Sequence, residues 1–230
     1  MARHTCVVAA AVLLEALAGA GEVTKMTDAL HWLGHDAFRV DGPPVVYLDP
    51  FQLHDGLPPA DLILITHAHY DHLSPKDVAR IRTPKTVVVG PKEVAEALTG
   101  VEVIAAGETR SFAGVTVRAV PAYNTNKTFH ARASGKVGYV FTVAGVSYYH
   151  AGDTDLIPEM AGLKPDVALL PVSGTYVMTA EEAAQAARAI KPKVAVPMHY
   201  GAIVGTAADA ARFATLLKDS GIEVVVKPKE

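Results

Sequence analysis

Residues 67–72 read His-Ala-His-Tyr-Asp-His and directly follow the apolar run Leu62-Ile63-Leu64-Ile65. A short continuous apolar run of this kind reads as a buried strand. Four side chains able to hold a metal therefore stand at a strand end, where the chain has to turn. In extended backbone, residues i and i+2 project to the same side. His67 and His69 can thus offer imidazoles to one ion. Asp71 and His72 are adjacent, so one turn can aim both at a second point close by. Imidazole with carboxylate suits zinc, manganese or iron. Just beyond, Ser74-Pro75-Lys76-Asp77 opens a helix: Ser74 as N-cap, Pro75 at the first position, Asp77 at the positive end of the dipole. The plainer reading is a polar loop whose surface histidines form a weak pH-sensitive patch. It leaves the placement between a buried strand and a capped helix without a reason.

The rest of the composition narrows the chemistry. The 230 residues contain one cysteine, Cys6, so an intrachain disulfide and a thiolate zinc cluster are both excluded. The ten histidines are the ligand reservoir. Half the residues are hydrophobic and the net charge is −3, without a Lys/Arg block. This is the composition of a globular protein with no electrostatic invitation to nucleic acid; the partner expected is a small-molecule substrate. The oligomeric state is not legible.

The first 24 residues read separately from a domain at 25–230. Met1-Ala2-Arg3-His4 is positive, residues 5–14 are apolar, and small residues follow to Gly21. The pattern is that of a secretory signal peptide. Glu15 interrupts it, and an N-terminal helix packed on the domain is the alternative. Export to the periplasm follows from the first reading, a cytoplasmic location from the second. The run is too short to span a bilayer, so no integral membrane segment is expected.

Along the domain, strands are expected at 30–33, 37–40, 44–48, 61–66, 86–89, 101–105, 109–112, 115–120, 136–143, 146–150, 167–170, 194–197 and 222–226. Helices are expected from 74, over 91–98, over 179–190 with Thr179 and Glu182 as a capping box, and over 206–218. Strands dominate and helices come at intervals. An α+β arrangement follows, with packed sheets and helices outside.

His-x-His-x-Asp-His resembles the metallo-β-lactamase superfamily, and further segments extend the resemblance over about residues 30–226. Trp32-Leu33-Gly34-His35 with Phe38, then Leu48-Asp49-Pro50-Phe51, look like the entry segment of its lactonase and phospholipase-D-like branch rather than of true β-lactamases. Tyr149-His150-Ala151-Gly152-Asp153-Thr154 resembles the segment that supplies a bridging carboxylate. Leu170 to Thr175 resembles a loop beside the site, and Pro197-Met198-His199-Tyr200 the final ligand segment. The resemblance implies a four-layer αββα sandwich as a single domain, with two metals in a groove at the sheet edges. Zinc is the expected metal, with manganese or iron as alternatives. Asp153 would bridge, and His199 would be a ligand. Hydrolysis of an ester, lactone or phosphoester bond is implied, with Asp71 both ligating and orienting the attacking water. Two other classes stay open: iron-dependent oxygen or sulfur chemistry, and metal binding without catalysis.

One ligand departs from the family pattern. Asn124 stands in Val120-Pro121-Ala122-Tyr123-Asn124-Thr125-Asn126 where a histidine is expected; the nearest is His130. Either His130 reaches back to join His67 and His69, or that metal has two histidines and weaker donors. The pattern Tyr-Asn-x-Asn-Lys-x-x-His resembles a sub-branch of the family that favours His130. Asp49 suits a carboxylate fixing a ligand histidine, or a turn aspartate before Pro50. His35 reads as a pocket residue meeting substrate, or as packing. Tyr176 and Met178 read as pocket wall or core, and His150 as structural.

Overall fold

The strand alternation separates two hydrophobic layers. In the computed structural model, which describes residues 21–230, Leu62 and Leu64 face one core cluster while Ile63 and Ile65 face another. Val46 and Leu48 likewise oppose Tyr47, and Phe38 and Val40 oppose Ala37. A period of two that is apolar on both faces requires cover on both faces of the sheet.

The first sheet holds β1 (Leu30–Gly34), β2 (Ala37–Val40), β3 (Val46–Leu48), β4 (Leu62–Leu64), β5 (Val87–Gly90) and β6 (Val101–Val103) in sequential order. The second holds β7 (Thr109–Phe112), β8 (Val115–Pro121), β9 (Val137–Val143), β10 (Val146–His150), β11 (Val167–Pro171), β12 (Val194–Met198) and β13 (Glu223–Val224), also sequential. In each, a hairpin-linked antiparallel part gives way to a parallel part, from β3 to β6 and from β10 to β13. Parallel neighbours need crossovers. Helices α1 (Pro75–Ile81) and α2 (Lys92–Ala97) serve the first sheet, α3 (Ala180–Ile190) and α4 (Ala207–Leu217) the second. Val78 and Ile81 of α1 and Val94 of α2 cover the outer face of the first sheet, and α3 packs on β11 and against α4. The inner faces of both sheets share the larger core. This is the expected αββα sandwich. The leader expected over the N-terminal residues lies, for residues 1–20, outside the described residues. Among the described residues no helix is long and apolar enough to cross a membrane.

The capping residues expected from the sequence sit where the helices begin. Ser74 accepts from the Asp77 amide with Pro75 at the first position, and Thr179 and Glu182 form a reciprocal capping box. Thr206 and Asp209 form a second one. The strand expected over 61–66 is shorter. Its ladder stops because the Thr66 amide donates to Asp49 Oδ1 at 2.7 Å instead of to a neighbouring strand. The Thr66 carbonyl accepts from the Val137 amide at 3.2 Å, which ties the β4 end to β9 of the other sheet. Nearby, Tyr139 Oη donates to the Ile65 carbonyl at 2.7 Å, fully buried. Gly152 completes this junction at φ +63°. A Cβ there would stand 3.0 Å from the Val137 carbonyl and 3.1 Å from Thr66.

The two sheets are therefore pinned together at the ends of β4 and β9. Tyr139→Phe removes one pin and is expected to cost about 1–2 kcal/mol of unfolding free energy. Urea denaturation measures this, and an unchanged midpoint would contradict the pinning.

Candidate metal centre

Loops leaving the carboxyl ends of β3, β4, β8, β10, β11 and β12 converge on one groove, the usual place for a site in sheets with a parallel part. They carry Asp49, His67 to His72, Asn124 to His130, Asp153, Ser173 and His199. The β1–β2 turn adds His35 and Asp36. Three of these residues, His35, Asp49 and His199, hold left-handed backbone at φ +54°, +41° and +60°. Such conformations are costly for residues other than glycine and cluster where geometry is over-determined.

The donors form two groups divided by Asp153. His67, His69 and His130 bring ring nitrogens together, with His67 Nε2 and His69 Nδ1 3.0 Å apart. Asp153 Oδ2 faces this group, 3.2 Å from His130 Nε2 and 3.9 Å from His67 Nε2. Its other oxygen, Oδ1, lies 3.3 Å from both His72 Nε2 and His199 Nε2. Asp71 Oδ2 is 3.9 Å from His72 Nε2 and accepts from His35 Nε2 at 3.2 Å. Every residue expected from the sequence as a ligand is thus at one centre: His67, His69, Asp71, His72, His130, Asp153 and His199.

The outward nitrogens are fixed by hydrogen bonds. Asp49 Oδ2 accepts from His72 Nδ1 at 2.8 Å and from Thr66 Oγ1 at 2.6 Å. With its proton on Asp49, Thr66 Oγ1 can only accept from His67 Nδ1, 3.0 Å away. Ser173 Oγ meets His199 Nδ1 at 2.9 Å. These contacts turn Nε2 of His67 and His72 inward, the orientation metal-binding histidines require. The Nε2 atoms of His72, His130 and His199 and Oδ1 of Asp153 are buried without a hydrogen-bond partner. Buried polar atoms are seldom left so, and a bound cation would satisfy all four. The donor set fits one.

The electrostatics point the same way. Burial, followed by the charge of His72, holds His67 well below the ordinary histidine range, and burial and Lys136 lower His69. Both present neutral imidazoles. Burial alone would raise Asp153, but His199 and His72 outweigh it and keep the carboxylate ionised. Burial also opposes ionisation of Asp71, and the hydrogen bond from His35 with the charge of His72 overcomes it. Burial, the largest single influence, lowers His72 and His199, but the carboxylates around them together outweigh it, Asp153 and Asp49 for His72 and Asp153 and Asp36 for His199, so both lie above the ordinary range, His199 at about 9. In the metal-free protein their protons supply positive charge that a metal would replace.

Asn124 does not face the donors. Its Oδ1 accepts from the His130 amide at 2.9 Å, and its amide donates to the His130 carbonyl at 2.7 Å. Its Nδ2 donates to Asp155 Oδ1 at 3.1 Å and to the Tyr176 carbonyl at 2.9 Å. Asp155 also accepts from the Thr125 amide at 2.8 Å and from Lys127 Nζ at 2.7 Å. The loop is clamped so that His130, not Asn124, stands beside His67 and His69. Asp49 sits behind His72 and Thr66. His35 is buried, with Nε2 against Asp71 Oδ2, and is not among the residues that line the cleft, a placement that matches its packing alternative rather than a substrate contact. His150 is buried, with Nε2 3.0 Å from the Asp36 carbonyl, as a structural residue. Met178 is core, whereas Tyr176 lines the cleft. The sequence reading passed over Asp36, Thr66 and the clamp role of Asp155. Only the position of Thr66, one before His67, could have signalled its role.

The open side is a cleft of about 250 Å³ lined by His69, Asp71, His130 and Asp153 below and by Tyr70, Phe129, Tyr176 and Ile203 above.

The comparisons agree with this architecture. The Beta-lactamase superfamily domain matches residues 29–199, so the chain belongs to that superfamily. Within it, the chain is a member of the UPF0173 metal-dependent hydrolase family. A UPF0173 metal-dependent hydrolase of Methanoculleus marisnigri is 40% identical over 70% of this chain and 75% of its own. One from Pyrococcus furiosus is 35% identical over 86% of this chain and 96% of its own. The structure of Igni18, a metallo hydrolase from Ignicoccus hospitalis, superposes with a TM-score of 0.72 at 28% identity, covering 87% of this chain and 95% of that one.

Asn124→Ala should loosen the His130 loop and weaken metal binding by roughly 10–100-fold, the usual effect of removing a residue that positions a ligand. Equilibrium dialysis against zinc measures it, and unchanged affinity would contradict the clamp.

Proposed function

We propose that the chain is a two-metal hydrolase, with zinc the favoured ion, that cleaves a carboxylic ester or lactone bearing an apolar group. His67, His69 and His130 would hold one ion, Asp71, His72 and His199 the other, and Asp153 would be shared. The division of Asp153's oxygens between two sets of inward imidazoles is the observation that carries this reading. A carboxylate shared in this way offsets the repulsion between two cations.

The metals, when bound, supply Lewis acidity and lower the pKa of water from 15.7 to around 7. The protein's own groups do the rest. Asp71, held by His35 and facing the cleft, is placed to orient the attacking water. Asp49 and Thr66 keep His72 and His67 from turning. Phe129 and Tyr176 pack edge to face with ring centroids 4.7 Å apart and form one wall of the cleft. Tyr70 and Phe129 are 68% and 51% exposed, an unusual position for aromatic rings, and with Ile203 they line the mouth. Among the described residues lining the cleft none is Lys or Arg. An anionic phosphodiester would lack a cationic side chain there, whereas a neutral acyl group would bury against the rings. This favours carboxylic esters and lactones over phosphoesters.

Protein reconstituted separately with zinc, manganese and nickel should be assayed on p-nitrophenyl esters of increasing acyl length, on lactones and on bis-p-nitrophenyl phosphate. Turnover of esters or lactones, rising with acyl length, is expected. Preference for the phosphodiester would contradict the substrate class, and no turnover with any metal would leave a metal-binding protein without catalysis. His69→Ala should lower the rate by orders of magnitude, and full turnover in its metal-free form would sink the mechanism.

A further inference from the structure

Asp36 is fully buried in the turn between β1 and β2, and neither of its carboxylate oxygens has a hydrogen-bond partner. Its backbone is held from behind by His150 at the Asp36 carbonyl. Its Oδ2 points toward the second group of donors, 3.6 Å from His72 Nε2 and 3.7 Å from His199 Nε2, with His35 Nε2, which donates to Asp71, also 3.7 Å away. Those two nitrogens are themselves without hydrogen-bond partners. They are also the pair that Asp153 Oδ1 approaches at 3.3 Å from each. Asp36 and Asp153 thus flank the same two imidazoles.

A buried carboxylate with no hydrogen bond is strongly unfavourable unless compensating charge lies close by. The spacing says what would compensate it. Ligands about 2.0–2.2 Å from a tetrahedral metal stand about 3.4 Å from one another. The contacts of Asp36 and Asp153 with His72 and His199, at 3.3–3.7 Å, are of that size. The Asp36 contacts, at 3.6 and 3.7 Å, are too long to be hydrogen bonds that would hold its carboxylate in place. The first group, His67, His69 and His130, contains no carboxylate of its own. The two halves of the centre therefore differ in chemistry, one rich in nitrogen and the other rich in oxygen.

We propose that Asp36 is a further ligand of the His72–His199 subsite. With Asp71 and Asp153 it gives that subsite three carboxylates and two imidazoles, a five-donor set. Oxygen-rich sites of higher coordination number suit manganese or ferrous iron, whereas imidazole-rich four-coordinate sites suit zinc. The subsite of His67, His69 and His130 keeps its preference for zinc, and the Asp36 subsite prefers the harder ion. The centre is thereby built for two different metals. This rests on the two-metal reading above and goes beyond it in assigning Asp36 and unequal metal preferences.

The test uses the metal-free full chain, titrated with zinc and manganese together and separately. Bound metal is counted by mass spectrometry of the dialysed protein, and the manganese environment is followed by electron paramagnetic resonance. From a mixture of two equivalents of zinc with a large excess of manganese, wild-type protein should take one zinc and one manganese. Asp36→Asn should weaken the manganese equivalent by roughly 10–100-fold or more, with the zinc equivalent unchanged. Asp36→Glu, which keeps the carboxylate, should restore part of the manganese binding. Thermal unfolding of metal-free Asp36→Asn, expected at or above the wild-type midpoint because a buried charge is gone, checks that the variant is folded. If Asp36→Asn binds both metals as wild type does, the role of Asp36 is overturned while the two-metal reading stands. If wild-type protein binds only one equivalent of any metal, the two-metal reading fails as well. If the variant does not fold, the wild-type mixture decides: two zinc ions and no manganese overturns the inference.

Discussion

The energetic problem of this molecule is the concentration of ionisable groups in a dry place. Asp36, Asp49, Asp153, His35, His67, His72, His130 and His199 are all buried at one end of the sandwich. A set of buried carboxylates is unstable unless positive charge and hydrogen bonds answer it. Asp49 is answered in full by Thr66 and His72. Asp153 Oδ1 and both carboxylate oxygens of Asp36 have no hydrogen-bond partner, and neither do Nε2 of His72, His130 and His199. Bound metal would answer both deficits together, and this is why the site reads as a metal centre rather than as a polar core.

The fold meets that demand through the ends of its strands. β4 stops where Asp49 captures the Thr66 amide, and the same carboxylate then reaches His72 through the other oxygen. One side chain therefore ends a strand, orients His72 directly and orients His67 through the Thr66 hydroxyl. Left-handed backbone at His35, Asp49 and His199 re-aims the chain where an extended path would carry the side chains past the groove. Each such residue carries a strain of roughly 1–2 kcal/mol, which the surrounding packing and hydrogen bonds sustain.

Much of this was legible from local pattern. The αββα layering follows from apolar strands interrupted by capped helices, and His67 to His72 announce themselves by spacing. Asp153 and His199 stand at strand ends, where ligands are common. The choice between His130 and Asn124 was not local. It depends on Asp155, some thirty residues along the chain, which locks the loop by accepting from Thr125, Asn124 and Lys127. His35 could not be told from a substrate contact because its burial depends on both sheets closing over it. Asp36 gives no signal in the sequence because an aspartate in a tight turn is ordinary; only the lack of a hydrogen-bond partner for its buried carboxylate sets it apart.

The site also explains its own entrance. His69, Asp71, His130 and Asp153 form a polar floor under an apolar rim of Tyr70, Phe129, Tyr176 and Ile203, the arrangement that the proposed substrate class rests on. The central claim is the pair of metals beneath that rim. Crystals grown with zinc and measured at the zinc absorption edge test it most directly. Two anomalous peaks about 3.5–4 Å apart are predicted, on either side of Asp153, one against His67, His69 and His130 and the other against Asp71, His72 and His199. A single peak, or no peak with the imidazoles hydrogen-bonded to one another, would contradict it.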